Sequence, residues 1–125
     1  MPGSVKTAAI LWIVFGGLGL LGQLMSLASG GFGTRGILGL VISVAFVVAG
    51  IQTISGKAKD TLGNGIGSIV LGGLALLLIM LAAAAVGLHW TVLLGMLNSG
   101  GLVLAGILAL VGRAAYREWR AQTIV

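Results

Sequence analysis

Long apolar runs divide this chain into four segments, separated by short stretches of glycine and polar residues. A transmembrane helix needs roughly 20 mostly apolar residues to cross a hydrocarbon core of about 30 Å. Lys, Arg, Asp and Glu are absent from the interior of every run. The pattern therefore predicts four membrane-spanning helices, over residues 7–28, 36–55, 62–86 and 88–111.

The first run also has features of a secretory signal peptide. Lys6 precedes it, and Ser26-Leu27-Ala28 has the small-x-small spacing of a cleavage site. The run is longer than the apolar core of an ordinary signal peptide, which has about 7–15 residues, and it has a counterpart later in the chain. We therefore expect it to be retained as the first span.

Composition excludes a water-soluble globule and a disordered chain. Hydrophobic residues make up 58% of the sequence and charged residues 7%, against about 25% charged residues in soluble domains. The chain has no cysteine, so it can form neither a disulfide nor a thiolate metal site. Its single histidine, His89, cannot build a multi-histidine site alone. We expect no metal and no cofactor.

The basic residues predict the orientation. Insertion holds Lys and Arg on the cytoplasmic side of the membrane. Of the seven basic residues, Arg35 alone lies on one side of the predicted spans. The other six lie on the opposite side, at Lys6, Lys57, Lys59, Arg113, Arg117 and Arg120. Both termini and the loop between spans two and three are therefore predicted to be cytoplasmic.

The sequence repeats itself at a shift of 56 residues without a gap. Ile13-Val14-Phe15-Gly16-Gly17-Leu18 aligns with Ile69-Val70-Leu71-Gly72-Gly73-Leu74, and Ala49-Gly50-Ile51 aligns with Ala105-Gly106-Ile107. Two spans return the chain to its starting side, so the repeat is parallel and its symmetry axis is a pseudo-two-fold along the membrane normal. The predicted fold is all-α, a single domain over 1–125. It is a four-helix membrane bundle of two hairpins, at about 7–58 and 63–114.

Small residues recur at helical spacing within the spans. Helices in lipid associate through close packing of such residues and through interhelical hydrogen bonds. We expect these glycines to pack the helices within the bundle, with self-association or docking onto a larger membrane partner as the alternative. The positions are Gly16, Gly19, Gly39, Gly63, Gly67, Gly72, Gly95 and Gly101.

Four polar residues share one layer in the outer half of the predicted spans, at Gln23, Ser43, Asn98 and Ser99. Polar groups in a membrane span are costly, which makes their common depth informative. One interpretation is an amide clasp, in which Gln23 and Asn98 hydrogen-bond between adjacent spans one and four. The other is a polar-lined pocket for a small ligand, a lipid headgroup or a solute.

The C-terminal segment after span four is basic. Arg113, Arg117, Trp119 and Arg120 can lie in the headgroup layer, where anionic lipid favours each basic residue by about 1 kcal/mol. The net charge of +5 and the pI of about 11.0 also raise the possibility of nucleic-acid binding. The charges are too few and too close to the membrane for that, so we expect no nucleic-acid partner.

The acidic residues argue against ion-coupled transport and catalysis. The chain has only Asp60 and Glu118, both at the predicted cytoplasmic interface, so no buried carboxylate is available for proton exchange. A serine nucleophile would need a nearby base with an orienting acid, and His89 sits in a turn without one. The sequence therefore predicts that the protein is not an enzyme.

The glycine-rich hairpins end in a short basic tail, as in Gly36-Ile37-Leu38-Gly39-Leu40 through Ala49-Gly50-Ile51 to Gly56-Lys57. This pattern resembles small uncharacterised four-span proteins of bacteria, and also the hairpin repeats of the HdeD-type acid-resistance membrane protein family. The resemblance implies a bacterial plasma-membrane location and no established activity.

The functional prediction is a non-catalytic, multi-pass membrane protein. We expect it to be a structural or accessory component that contacts the lipid bilayer and packs against itself or a larger membrane complex. Two alternatives stay open. One is a small oligomeric channel or facilitator lined by Gln23, Ser43, Asn98 and Ser99, and the other is a protein that binds a lipid or hydrophobic ligand near the same residues.

Overall fold

The computed structural model describes residues 1–28, 34–87 and 90–123, and these ranges are mostly helical. The helices are α1 (Gly3–Ala28), α2 (Thr34–Ile54), α3 (Leu62–Val86), α4 (Trp90–Val111) and α5 (Arg113–Thr123). The first four are long and apolar enough to cross a membrane. The prediction of an all-α, four-span bundle is confirmed, and the protein is a multi-pass membrane protein. His89 and the glycine-rich segment 29–33 lie outside the described residues.

Glycines with positive φ end the second and third helices. Gly56 has a φ of 77° and Gly87 a φ of 86°, a region in which a side chain would be strained. The backbone N–H of Gly56 donates to the carbonyl of Thr53, and that of Gly87 to Ala83. These glycines fall in the segments where the sequence predicts helix breakers.

The two helical hairpins pack alike at positions 56 residues apart. A methyl group on Gly16 would lie 3.0 Å from the Ser43 carbonyl oxygen, and one on Gly72 would lie 2.9 Å from that of Ser99. Gly50 and Gly106 show the same correspondence. A methyl group on either would lie 2.6 Å from an isoleucine side chain of the partner helix. Glycine therefore sets the close approach of α2 to α1 and of α4 to α3.

A tryptophan joins the two hairpins. Trp12 of α1 is fully buried, and its indole N–H donates to Ser68 Oγ of α3 at 2.9 Å. Ser68 in turn donates to the carbonyl of Leu102 in α4. Trp12 and Ser68 are themselves 56 residues apart. The buried core around them consists of Ala8, Trp12, Phe46, Leu102, Ala105 and Ala109.

The bundle is closed on one side only. α1 and α4 pack together, as the sequence predicts, whereas α2 and α3 scarcely touch. Short loops usually join packed antiparallel helices, but the loop at 55–61 joins two helices that stand apart. A groove of about 200 Å³ separates them. Gly67 and Ser68 line the groove at the positions that align with Leu11 and Trp12 of α1, of which Trp12 belongs to the buried core and Leu11 packs against it.

Candidate functional site

The four polar residues predicted from the sequence line one cavity. It has a volume of about 240 Å³ and receives residues from all four spans. Gln23 comes from α1, Ser43 from α2, and Asn98 and Ser99 from α4. The cavity lies between the buried core and the end of the bundle opposite the termini, which we call the far end. The other lining residues are Phe15, Gly16, Gly19, Gly39, Ile42, Phe46, Leu71, Ala75 and Leu102.

Two of the predicted packing glycines make room for these polar groups. A methyl group on Gly19 would lie 2.7 Å from Ser43 Oγ, and one on Gly39 would lie 2.7 Å from Gln23 Nε2. Ser43 is 9% exposed, and Gln23 is half-buried. Ser43 and Gln23 therefore pack against the backbone of the facing helix, where glycine leaves space for a polar side chain.

Asn98 carries an unpaired buried acceptor. Its Oδ1 atom is buried and accepts no hydrogen bond from the part of the chain that the structure describes. The Gln23 carboxamide packs on Gly39 of α2 instead, so Asn98 Oδ1 receives no hydrogen bond from the predicted clasp. A buried acceptor without a partner costs about 1–3 kcal/mol. The site is thus short of one hydrogen-bond donor.

A second space adjoins the cavity. It is a groove of about 410 Å³ between α1 and α4, in the same half of the bundle. Phe15, Gly19 and Asn98 line both the groove and the cavity. The remaining walls are small or aliphatic, at Leu18, Gly22, Leu94, Gly95 and Leu97. Asn98 therefore stands where the groove between two spans meets the interior of the bundle.

Mostly apolar side chains fill the bundle on the termini side of the cavity, with the side chains of Ser68 and Thr53 buried among them. Trp12, Phe46 and Leu102 are all buried there, with Trp12 fully inaccessible. A pore through one copy would need polar groups along its whole length. In the described spans, the predicted polar cluster covers only the far half. Within the same ranges, no three His, Asp or Glu side chains come together as a metal site requires.

The basic C-terminal residues have different surroundings from one another. Arg113 forms a bidentate ion pair with Asp60, with N···O distances of 2.7–3.0 Å, and Arg120 Nε donates to the Gly56 carbonyl at 2.9 Å. Arg117 is exposed, and Trp119 is partly buried with its ring 5.8 Å from that of Tyr116. Arg113 and Arg120 therefore attach α5 to the loop between α2 and α3.

Tyr116 completes this attachment. It is fully buried, and its hydroxyl donates to the Ala58 carbonyl at 2.6 Å. Burial raises its pKa above the usual value of 10.0. The hydrogen bond from Arg113 lowers the pKa of Asp60 to about 2, helped by the backbone N–H of Thr61. The loop and α5 therefore form one hydrogen-bonded unit at the end that carries the termini.

Asp60→Asn is expected to loosen α5 without unfolding the bundle. The pair is about a third exposed on each side, so its contribution is at most about 1 kcal/mol. Amide hydrogen exchange in α5 should rise by up to about fivefold, while exchange in α1 and α4 stays unchanged. Glu118→Gln is the matched control, because it neutralises the other acidic residue of the chain on the exposed face of α5.

Acid should produce the same effect in the wild-type protein. A carboxylate with a depressed folded-state pKa stabilises above its unfolded value, here 3.8, and loses that contribution as the pH falls through about 2. The protection of α5 amides, measured relative to their intrinsic exchange rate at each pH, should therefore fall between pH 4 and about pH 2 in the wild type, but not in Asp60→Asn. An equal pH response in both proteins would show that the ion pair does not hold α5.

Several structural residues escape prediction from the sequence. Among the described glycines, an added methyl group would lie nearest to backbone at Gly106, 2.6 Å from the Gly65 carbonyl oxygen, and at Gly50, 2.7 Å from that of Ala9. The repeat could have indicated both positions, because Gly50 and Gly106 align in it. Ser68 aligns with Trp12 in the repeat, and these two aligned residues also hydrogen-bond to each other. Thr53 is fully buried with no partner for its Oγ1 among the described residues, and no pattern in the sequence singles it out.

Comparisons with protein-family models, with curated proteins and with solved structures find no match for this chain.

Proposed function

We propose that the protein is a non-catalytic structural component of its membrane, which assembles with a second copy of itself through α3. The observation that carries this proposal is the groove between α2 and α3. Gly63 and Gly67 line it, and a methyl group on either would have no neighbour within 4 Å among the described residues. By contrast, Gly65 and Gly72 on the same helix lie against α4. The Gly63 and Gly67 pair is therefore unused within one copy.

The exposure of α3 supports a helix of another protein chain as the occupant of the groove. Only 11% of the residues in its most apolar stretch are buried, against 22% in α1 and α2 and 28% in α4. Glycines four residues apart allow two helices to approach closely, and the contacts between them drive association in lipid. A lipid tail that filled this notch would lose conformational freedom, which favours a rigid helix there.

Self-complementarity supports a second copy as the partner. In a two-fold dimer, the same surface meets itself, so the Gly63–Gly67 notch of one α3 would cross that of the other. Two copies inserted in the same orientation have a two-fold axis along the membrane normal available to them. The positive-inside rule supports one orientation for every copy, with both termini cytoplasmic. The resemblance to bacterial four-span proteins supports the plasma membrane as the location.

Gly67→Leu is expected to convert the dimer to a monomer. A leucine there fills the notch that the partner helix would occupy. Native mass spectrometry after gentle release from the membrane measures the change directly. Gly73→Leu is the matched control, since Gly73 is on the same helix, has nothing within 4 Å and does not line the groove.

Cross-linking gives an independent readout. The chain has no cysteine, so a single introduced thiol reports one position. Gly67→Cys should form a disulfide-linked dimer on mild oxidation, and Gly73→Cys should not. A wild-type monomer, a different protein released at fixed stoichiometry, or equal cross-linking at both positions would contradict assembly through this face.

A further inference from the structure

We infer that the cavity lined by Gln23, Ser43, Asn98 and Ser99 binds a small, neutral, mostly apolar molecule that carries a hydroxyl group. The cavity and the α2–α3 groove of the proposed dimer share the apolar residues Ile42, Phe46 and Leu71, but none of the four polar residues lines that groove. Asn98→Leu therefore tests the ligand site, and Gly67→Leu tests the dimer.

The size of the cavity sets the size of the ligand. An apolar cavity of about 150 Å³ in a protein core is enough to take up benzene. The present cavity, at about 240 Å³, accommodates one aromatic ring with a substituent or an aliphatic chain of similar bulk. Five large apolar side chains form much of its wall, at Phe15, Ile42, Phe46, Leu71 and Leu102.

The polar groups of the cavity set the chemistry of the ligand. Asn98 Oδ1 needs a hydrogen-bond donor, and the Ser43 and Ser99 hydroxyls can both donate and accept. A hydroxyl group both donates and accepts, so it can satisfy the carboxamide and a serine together. None of the lining residues is charged, and a charged ligand would remain unpaired at this depth.

The α1–α4 groove provides a route from the lipid. It shares Phe15, Gly19 and Asn98 with the cavity, and its other walls are small or aliphatic. A molecule dissolved in the bilayer can therefore pass between two spans and reach Asn98 without crossing water. Ligands that partition into membranes, such as phenols and alcohols of this size, fit both the route and the cavity.

Quenching of Trp12 fluorescence tests the proposal. The chain has three tryptophans, so Trp90→Phe with Trp119→Phe leaves Trp12 as the reporter. Trp12 belongs to the same buried cluster as Phe46 and Leu102, which line the cavity. In lipid nanodiscs, 4-bromophenol should quench Trp12 saturably, with an apparent affinity about tenfold higher than that of bromobenzene at equal mole fraction in the lipid.

Two variants separate binding from partitioning. Asn98→Leu removes the acceptor and should bring 4-bromophenol to the affinity of bromobenzene, whereas Gln52→Leu, an exposed carboxamide on α2, should change neither. Ala75→Leu adds a side chain at the cavity wall and should abolish saturable quenching by both probes. An unchanged Trp12 emission maximum verifies the fold of each variant.

Quenching that rises linearly with probe and is the same in all three variants would overturn the proposal, as would equal affinities for the two probes in the parent protein. The first result would show that the cavity binds neither probe, and the second would show that its polar groups do not select a hydroxyl. Dimer mass is measured on the same samples. Loss of saturable quenching in an intact dimer would therefore refute the ligand site and leave the proposed function standing.

Discussion

Trp12→Ala is expected to lower the free energy of unfolding by about 3–5 kcal/mol, the usual range for deleting a fully buried aromatic side chain. Trp12 has no exposed surface and sits where the two hairpins meet. Its loss leaves a void that the surrounding helices can close only in part. It also removes the indole N–H that donates to Ser68 Oγ, which is one of the links between α1 and α3.

Titration with a denaturing detergent, followed by circular dichroism, measures this loss. Trp12→Phe should give a smaller effect, because it keeps most of the ring volume and removes only the hydrogen bond. Trp90→Ala is the control, since Trp90 is 77% exposed and its removal should leave stability within about 0.5 kcal/mol of the wild type. Equal destabilisation by Trp12→Ala and Trp90→Ala would show that the hairpins are not joined at Trp12.

The four spans could be predicted because a membrane imposes one length on every crossing helix. In such a chain, a run of about 20 apolar residues bounded by glycine or charge can form few structures other than a membrane-spanning helix. The sequence could also predict that Gln23, Ser43, Asn98 and Ser99 lie close together. Depth follows directly from residue number in a spanning helix, and the cost of exposing polar groups to lipid turns those at one depth towards the interior of the bundle.

The open α2–α3 side could not be predicted from span lengths, because the length of a span does not specify its distance from another span. Repetition of the sequence suggests that α2 should meet α3 as α4 meets α1. Positions 67 and 68, however, carry glycine and serine where α1 carries Leu11 and Trp12, so the two hairpins differ at residues that line the groove. The sequence therefore shows where the repeat departs from symmetry, and the structure shows that a groove lies there.

The attachment of α5 shows a second limit. Basic residues after the last span predict contact with lipid headgroups, and Arg117 is exposed as that interpretation requires. Arg113 pairs with Asp60, 53 residues earlier in the chain. Both residues were expected at the same interface, but position along the membrane normal does not specify position around the bundle. Depth was therefore predictable, and lateral pairing was not.

Gly106→Ala is expected to lower the free energy of unfolding by about 3 kcal/mol, the upper end of the usual range for overpacking. The added methyl group would lie 2.6 Å from the Gly65 carbonyl oxygen and 3.0 Å from the Ile69 backbone nitrogen. Backbone atoms cannot rotate away as a flexible side chain can, so α3 and α4 must separate along the whole contact.

Gly100→Ala is the matched control for this change, six residues earlier on the same helix. A methyl group there would meet nothing within 4 Å, so the substitution should be neutral or stabilise the helix by up to about 1 kcal/mol. Gly50→Ala tests the equivalence of the two hairpins, since its methyl group would lie 2.7 Å from the Ala9 carbonyl oxygen. Similar losses at positions 50 and 106, measured by the same titration, are expected if backbone contact limits both hairpins. If only one substitution lowers the free energy of unfolding, the helices of the other hairpin can move apart to accommodate the methyl group. The similar contacts of the two glycines would then not make similar contributions to stability.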